Sequence, residues 1–258
     1  MIDLHCHILP EVDDGAASLD ESVRMARAAV GDGVHTIVAT PHGSAWAYTG
    51  TAAETRERTA ALQSELALLG VRLEILPGLE VYLTPDSPNL YARGEIFTLN
   101  TSRYMLVEFP FQGIPPNTEQ TLFELQLRGV VPVIAHPERN AAIASDQGIL
   151  HAMVARGMLA QVTAGSLLGF FGVRIQRVAE TLLESRLVHV IASDGHPMQG
   201  RWPLLSKAVE RASELIGEQS ALDMVTTTPA AILRDEEVVA PEPQPAERRR
   251  WFRLGRSK

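Results

Sequence analysis

The chain has 258 residues, of which 45 % are hydrophobic, 21 % charged and 5 % aromatic, an ordinary composition for a soluble globular protein. Its net charge of −8 argues against a nucleic-acid-binding protein, because displacing counterions from nucleic acid requires a cationic surface. The single cysteine excludes an intrachain disulfide, no apolar run reaches the roughly 18 residues of a membrane span, and early acidic residues argue against a signal peptide, so we expect a cytoplasmic protein.

Short apolar segments alternate with longer segments of helical pattern along most of the chain. Most of the apolar segments are rich in Val, Ile and Leu without strict polar alternation, which is typical of strands buried on both faces. The sequence therefore predicts seven strands, at Ile2–His5, His35–Thr40, Leu73–Leu76, Tyr104–Phe109, Val131–Ala135, Leu159–Thr163 and Val188–Ala192.

Six helices are predicted between and after these strands. The first carries a capping box, with Ser18 as N-cap and Glu21 three residues later. Alternation of strands and helices predicts parallel strands, arranged either in an open doubly wound sheet or in a barrel. The helices are expected near Ser18–Gly31, Thr51–Leu69, Thr118–Arg128, Asp146–Arg156, Arg174–Ser185 and Pro203–Ile216.

The chain changes character after Val239, where the sequence reads APEPQPAERRRWFRLGRSK. Proline and charged residues dominate this segment, which predicts one domain over residues 1–239 and a disordered basic tail over residues 240–258. The tail is either a solvated end without a role or a weak tether that makes contact with an anionic membrane surface. Its cations are Arg248, Arg249, Arg250, Arg253, Arg256 and Lys258, which surround Trp251, Phe252 and Leu254.

Residues 5–15 read HCHILPEVDDG and place the only cysteine of the chain between two histidines. Alternate side chains of a strand share a face, so we expect His5 and His7 to point together, about 7 Å apart, and Cys6 to point away. Two imidazoles at the end of a strand suit a metal chelate. A cysteine phosphatase would need an arginine after five intervening residues, where Val12 stands, so Cys6 is predicted to be a small buried residue.

Potential metal ligands recur at or near the C-terminal ends of the other predicted strands, except the sixth. In a closed parallel barrel, functional sites are built at this face. A network of buried ion pairs is the alternative, but few cations lie near these residues, and clustered carboxylates repel one another unless divalent ions neutralise them. The residues are His42, Glu80 (where the third predicted strand is taken to end), Glu108, His136, Asp194 and His196.

Six motifs together resemble the polymerase-and-histidinol-phosphatase (PHP) superfamily. They read HCHILPEVDDG, TPH, GLE, VEFP, AHPERN and SDGH, and the resemblance runs in order from the first residue to about residue 235. The combination of DDG, VEFP and HPERN resembles one branch in particular, the bacterial manganese-dependent protein-tyrosine phosphatases encoded with capsule and exopolysaccharide genes. The resemblance implies an α/β fold, a distorted (β/α)₇ barrel with its metal site at the C-terminal ends of the strands.

The resemblance also implies three divalent metal ions, Mn²⁺ in the first place. One ion would take His5, His7, Glu80 and Asp194; a second would share Glu80 and add Glu108 and His136; a third would use Asp14, His42 and His196. Asp13 is expected to shape the turn before Gly15 or to support the ligands, and His35, His151 and His189 are expected to be ordinary histidines.

These nine residues comprise five histidines and four carboxylates, without a thiolate. This donor set favours Mn, Fe, Zn or Mg over copper(I) or an iron–sulfur cluster, but it does not choose among those four. Three divalent ions and four carboxylates leave a positive site, which suits a phosphate monoester dianion. Such ions also lower the pKa of bound water and so supply a nucleophile at neutral pH.

Two arginines are predicted to hold the substrate. Arg139 follows His136 in HPERN, and Arg201 follows His196 in GHPMQGR. Guanidinium groups on loops at the active face can bind phosphoryl oxygens bidentately, and in the resembled branch arginines at these places contact the phosphate. The alternative is that both are surface arginines.

The expected function is a metal-dependent phosphotyrosine phosphatase. The resemblance implies a membrane-associated tyrosine autokinase that regulates polysaccharide export as the protein substrate. Two alternatives remain, a PHP phosphoesterase that acts on a small phosphorylated metabolite and a non-catalytic metal-binding scaffold that holds the kinase tail. The sequence leaves the oligomeric state open.

Overall fold

The computed structural model describes residues 1–43 and 51–244. Eight strands lie in these two ranges, and each of the seven predicted strands is among them. Two of the seven have the predicted ends, and the ends of the others differ by at most two residues. The strands are β1 (Ile2–Cys6), β2 (Thr36–Ala39), β3 (Glu74–Pro77), β4 (Glu80–Tyr82), β5 (Tyr104–Glu108), β6 (Val131–Ala135), β7 (Leu159–Thr163) and β8 (Val190–Ala192).

Helices connect the strands, and all six predicted helices are present among the described residues. Five shorter helices were not predicted. The helices are α1 (Leu19–Gly31), α2 (Ala52–Leu68), α3 (Ser87–Ala92), α4 (Thr118–Leu127), α5 (Ala141–Ser145), α6 (Gly148–Val154), α7 (Ala164–Leu167), α8 (Val173–Glu184), α9 (Ser206–Ile216), α10 (Glu218–Asp223) and α11 (Thr227–Leu233).

Every pair of neighbouring strands is parallel, which confirms the predicted α/β class. Hydrogen bonds order them as β1–β2–β3 and as β4–β5–β6–β7–β8. Backbone contacts also join the two sheets at their C-terminal edges, because the Asp194 N–H donates to the His5 carbonyl at 2.9 Å and the Glu80 N–H donates to the Pro41 carbonyl at 3.0 Å. The C-terminal ends of β1, β2 and β8 and the start of β4 are thereby held close together.

Buried Asp3 strengthens the junction between β1 and β8. Its Oδ1 accepts the Ser193 backbone N–H at 2.9 Å, and its Oδ2 accepts the Ser193 hydroxyl at 2.5 Å. Burial raises the pKa of Asp3 to about 6, although its bonds with Ser193 oppose that rise. These contacts fix the chain immediately before Asp194.

The third predicted strand does not end at Glu80, and this part of the prediction was wrong. β3 ends at Pro77, and Glu80 instead begins β4, whose partner is β5. The break falls at Gly78, where a Cβ atom would lie 2.6 Å from Val38 Cγ1 and 3.0 Å from Leu99 Cδ2. Only glycine fits so close an approach, and the chain leaves β2 at this point.

The predicted capping box of α1 is half formed. The Ser18 hydroxyl accepts the Glu21 N–H at 3.3 Å, as predicted, but the Glu21 carboxylate accepts the Ala17 N–H at 2.9 Å instead of reaching Ser18. A complete capping box, which was not predicted, begins α2, where Thr51 and Glu54 exchange both bonds.

Cys6 lies in the hydrophobic core, as predicted. It is fully buried, and a Cβ atom on Gly195 would lie 2.9 Å from its Sγ. Burial raises the pKa of the thiol well above its usual value. Both observations disfavour a thiolate nucleophile at this position.

The last described residues run along the outside of the fold. Tyr104 Oη donates to the Glu236 carbonyl at 2.7 Å, and the Gln244 N–H donates to the Ser185 carbonyl at 2.9 Å. The six predicted tail cations and their aromatic neighbours lie outside the described residues. Among the helices described, none has the length and apolarity required to cross a membrane.

Candidate metal centre

His5 and His7 lie at the C-terminal end of β1 and point to the same side, as predicted. Their Nε2 atoms are 3.2 Å apart. His5 Nδ1 lies 3.0 Å from Gln161 Oε1, and His7 Nδ1 lies 2.7 Å from Asp13 Oδ2. Because both oxygens only accept, each imidazole donates from Nδ1 and directs the Nε2 lone pair inward, as a metal ligand requires.

Asp13 supports the ligand residues and shapes the turn. Besides His7, its carboxylate accepts the N–H groups of Gly15 at 3.0 Å and His42 at 3.0 Å.

The contact between Gln161 and His5 was not predicted, because the strand of Gln161, β7, carries no strong ligand. Its signal was a fully buried amide in an otherwise apolar strand.

Glu80 lies at the centre of the site. Its Oε1 is 2.8 Å from His136 Nε2, and its Oε2 is 3.0 Å from His42 Nδ1 and 3.4 Å from His5 Nε2. Glu108 lies beside it, 3.8 Å from both His42 and His136. One carboxylate therefore faces imidazoles from three different strand ends.

Asp194 uses its two oxygens in different directions. Oδ1 faces the histidines, at 3.2 Å from His196 Nδ1 and 3.5 Å from His5 Nε2. Oδ2 faces the arginines, at 2.5 Å from Arg139 Nη1 and 3.7 Å from Arg201 Nη2. Asp194 has a φ of +50°, a conformation that aspartate tolerates better than most residues.

Asp14 joins the site from the loop after β1. Its Oδ1 lies 3.1 Å from His196 Nε2 and 3.5 Å from His42 Nε2. The loop packs tightly on β1, because a Cβ atom on Gly15 would lie 2.1 Å from the His7 carbonyl oxygen. Asp13 and Gly15 of the DDG sequence thus hold the turn from which Asp14 reaches these histidines.

All nine predicted ligand residues lie close together, and seven of them form three groups of donor atoms. In each group, one donor atom from each residue lies within 4.8 Å of the others. The groups differ from the predicted sets in three ways: His7 also joins Asp14, His42 joins Glu108 in place of His136, and Asp194 belongs to no group. They are His7, Asp14, His42 and His196; His5, His7 and Glu80; and His42, Glu80 and Glu108.

The electrostatics of the site reflect crowded carboxylates. Burial, followed by the neighbouring Glu80, raises the pKa of Glu108 to about 8. Burial opposes protonation of His5, but Glu80 and Asp194 raise its pKa to about 9. Glu108 Oε2 is buried without a hydrogen-bond donor in the described chain. Imidazoles and carboxylates in this arrangement fit divalent cations, which would neutralise the carboxylates.

Arg139 and Arg201 border the same site. The guanidinium carbon of Arg139 lies 4.5 Å from the ring centroid of Phe111 and 4.6 Å from that of Phe171. The guanidinium of Arg201 lies 5.5 Å from the Phe171 ring, and its Nε donates to the Asp194 carbonyl at 3.0 Å. Phe111 and Phe171 were not anticipated, since they reach the arginines from separate loops.

Glu138 fixes the loop that carries Arg139. It is fully buried, and its Oε1 accepts the Thr163 N–H at 3.0 Å and the Ser166 hydroxyl at 2.6 Å. Sequence reasoning missed this role of Glu138, although the acidic residue stood inside the HPERN motif.

Most of these side chains line one open cavity of about 360 Å³. His5 and His7 are buried behind it. The three histidines that were predicted to be ordinary lie elsewhere. His35 and His151 are exposed, and His189, immediately before β8, accepts the Ala160 N–H at 3.1 Å. The cavity is lined by Asp13, Asp14, His42, Glu80, Glu108, Phe111, His136, Arg139, Asp194, His196, Gln199 and Arg201.

Comparisons with known proteins identify the family of this chain. The family model for capsular polysaccharide synthesis, CpsB/CapC, matches residues 1–234. The tyrosine-protein phosphatase YwqE of Bacillus subtilis is 38 % identical over 98 % of this chain and 99 % of its own length. The tyrosine-protein phosphatase CpsB of Streptococcus pneumoniae is 31 % identical over 92 % of this chain and 99 % of its own.

A solved structure gives the same result for the fold. It is described as belonging to YwqE and CpsB, "unique metal-dependent tyrosine phosphatases", and superposes with a TM-score of 0.90 at 37 % identity, covering 96 % of this chain and 100 % of that one. The resemblance read from the sequence motifs is confirmed at the level of the family. The chain belongs to the CpsB/CapC family of capsular polysaccharide synthesis proteins.

Proposed function

We propose that this protein is a metal-dependent protein-tyrosine phosphatase that acts in capsule or exopolysaccharide synthesis. The observation that carries the proposal is that nine imidazole and carboxylate side chains lie together with two arginines. Seven of the nine and both arginines line one cavity, and His5 and His7 lie behind it. The names of YwqE and CpsB supply the substrate class, and the site supplies the chemistry.

Three divalent ions, most simply Mn²⁺ with Fe, Zn or Mg as alternatives, are the proposed cofactors. His5, His7, Asp14, His42, Glu80, Glu108, His136, Asp194 and His196 would hold them. Bound ions of this kind lower the pKa of water and attract electrons from phosphoryl oxygens. Gln161 and Asp13 would keep the imidazoles of His5 and His7 oriented toward the ions.

Arg139 and Arg201 are proposed to bind the phosphoryl group of the substrate. Both guanidinium groups lie at the cavity, and their contacts with Asp194 and the aromatic rings hold them in place. As a water oxygen bonds to phosphorus and the bond from phosphorus to the tyrosine oxygen breaks, they would stabilise the charge on the other phosphoryl oxygens. The tyrosine phenol has a pKa of about 10, so its oxygen leaves more easily than an alkoxide.

The proposed architecture is a distorted (β/α)₇ barrel in which β3 and β4 count as one interrupted strand. The contacts of His5 with Asp194 and of Pro41 with Glu80 support this proposal, since they join the two sheets at the ends where a barrel would close. We assign residues 1–239 to this domain and residues 240–258 to a basic tail.

The proposed substrate is a phosphotyrosine protein in the cytoplasm, and a membrane-associated tyrosine autokinase fits the family. The tail would bring the enzyme to that membrane by weak electrostatic contact, because it carries six cations on an acidic protein.

The test of this function is turnover by metal-stripped protein that is resupplied with one divalent metal at a time. We expect hydrolysis of a phosphotyrosine peptide to return with Mn²⁺ and to exceed hydrolysis of histidinol phosphate. Faster turnover of histidinol phosphate would favour the small-metabolite phosphoesterase. Tight metal binding without hydrolysis of either compound would favour the non-catalytic scaffold.

A further inference from the structure

Phe111 is the one hydrocarbon side chain among the described residues that line the metal-site cavity. Every other described lining residue is charged, an imidazole or an amide. Phe111 lies on the loop after β5, its ring centroid is 5.6 Å from that of His136, and 36 % of its surface is exposed. Among the described residues, Phe111 is therefore the one hydrocarbon ring available to a molecule bound in the cavity.

Phe111 and Phe171 hold Arg139 between them, but they differ in what else they contact. Phe171 lies near both arginines, at 4.6 Å from Arg139 and 5.5 Å from Arg201, and it does not line the cavity. Phe111 contacts only Arg139 of the two and faces the cavity. Phe171 thus serves to position the arginines, whereas Phe111 can also touch what they bind.

A phosphate ester bound by these arginines must direct its alcohol portion away from them along the cavity wall. An aryl ester presents a flat apolar ring there, and aromatic rings attract one another when their centroids are about 4.5–7 Å apart. A short alkyl ester has no comparable surface to bury. Phe111 therefore stands where it can distinguish the two ester classes.

We propose that Phe111 forms an aryl-binding subsite that selects aryl phosphate esters over alkyl phosphate esters. The inference rests on the proposed phosphatase function and adds a residue that determines substrate class. A ring contact of this kind corresponds to a difference in affinity of about 5- to 10-fold.

The test measures binding of two phosphonates to the metal-loaded, full-length protein by titration calorimetry. Phenylphosphonate carries the aryl group, and methylphosphonate carries the same anion without it. For Phe111→Leu we expect phenylphosphonate to bind about 5- to 10-fold more weakly, and methylphosphonate to bind within twofold of the original affinity. Phe111→Tyr, which keeps the ring, should retain the preference. With a phosphotyrosine peptide, Phe111→Leu should raise KM by a larger factor than it lowers kcat, whereas Phe171→Leu should mainly lower kcat.

Phe171→Leu is the matched control, since it removes a ring that contacts the arginines outside the cavity. We expect Phe171→Leu to weaken the binding of both phosphonates by a similar factor. If Phe111→Leu weakened the binding of both phosphonates equally, the proposed subsite would be overturned, because Phe111 would then act only by positioning Arg139. No change in either affinity would overturn it too. If the original protein binds neither phosphonate, the proposed function fails and the subsite fails with it.

Discussion

Cys6 lies between two proposed metal ligands, His5 and His7, yet its side chain belongs to the core. It is fully buried, and its thiol is kept protonated by that burial. We expect Cys6→Ser to retain most phosphatase activity and thiol alkylation of the native protein to have little effect. The comparison is with His5→Ala, which removes a proposed metal ligand. A loss in the cysteine variant as deep as that in the histidine variant would contradict the metal-dependent chemistry.

Substitutions of Glu80 and of Arg139 should have different effects on metal content and turnover. Glu80 belongs to two of the three donor groups, so we expect Glu80→Gln to lose two ions together. Arg139 contacts Asp194 Oδ2, away from the histidines, so Arg139→Ala should keep its metal and lower turnover by about 100-fold, a typical cost of losing a transition-state donor. Elemental analysis of both purified variants checks this division, and metal loss from the arginine variant would refute it.

Titration of the buried His189 should make the stability of the fold depend on pH, independently of the residues of the candidate metal site. Burial lowers its pKa to about 4, against an ordinary value of 6.5. The unfolded chain binds the proton more readily, so the neutral imidazole contributes stability above pH 6.5, and this contribution is lost as the pH falls toward 4. The full loss is about 3 kcal/mol.

The measurement is the free energy of unfolding in urea between pH 7.5 and pH 4. His189→Leu should be less stable at pH 7.5, because the Ala160 N–H loses its acceptor, but its stability should fall less steeply with pH. Parallel pH profiles for the two proteins would show that His189 does not titrate between the folded and unfolded states.

At the scale of single elements, the break between β3 and β4 decides where Glu80 lies. Gly78 has no room for a side chain against Val38. We expect Gly78→Ala to cost about 1–3 kcal/mol, as overpacked cores do, and to lower metal content because Glu80 follows two residues later. Gly31→Ala at the end of α1 is the control, since a Cβ atom there meets nothing within 4 Å. Equal stability and metal content in both variants would contradict this role of Gly78.

The strands that carry ligands could be predicted because buried parallel strands have a distinct composition and direct their C-terminal ends to one face. β4 could not, because its three residues, Glu80–Tyr82, are too few to show a period. The grouping of His7 and His42 also depends on loop geometry that no local pattern encodes. Gln161 was missed because a single amide in a strand is not a typical metal ligand, and the sequence alone does not distinguish it from any other polar residue.

At the scale of the whole molecule, charge is distributed unevenly along the chain. The net charge is −8, yet the last eleven residues, 248–258, hold six cations and no acid. Each cation near an anionic bilayer contributes about 1 kcal/mol to binding, and the contribution weakens with salt. The basic segment follows Gln244, whose backbone is bonded to Ser185, so a truncation after Gln244 preserves the contacts of the described fold.

We therefore expect truncation after Gln244 to leave hydrolysis of a soluble phosphotyrosine peptide unchanged and to abolish binding to anionic vesicles. Because the attraction is electrostatic, the full-length protein should bind these vesicles at low salt and release them as salt rises, and it should bind neutral vesicles poorly throughout. Replacing Arg248, Arg249 and Arg250 by glutamine should weaken binding while Trp251 and Phe252 remain. Co-sedimentation is the measurement, and equally poor sedimentation of full-length and truncated proteins with anionic vesicles at low salt would refute the tether.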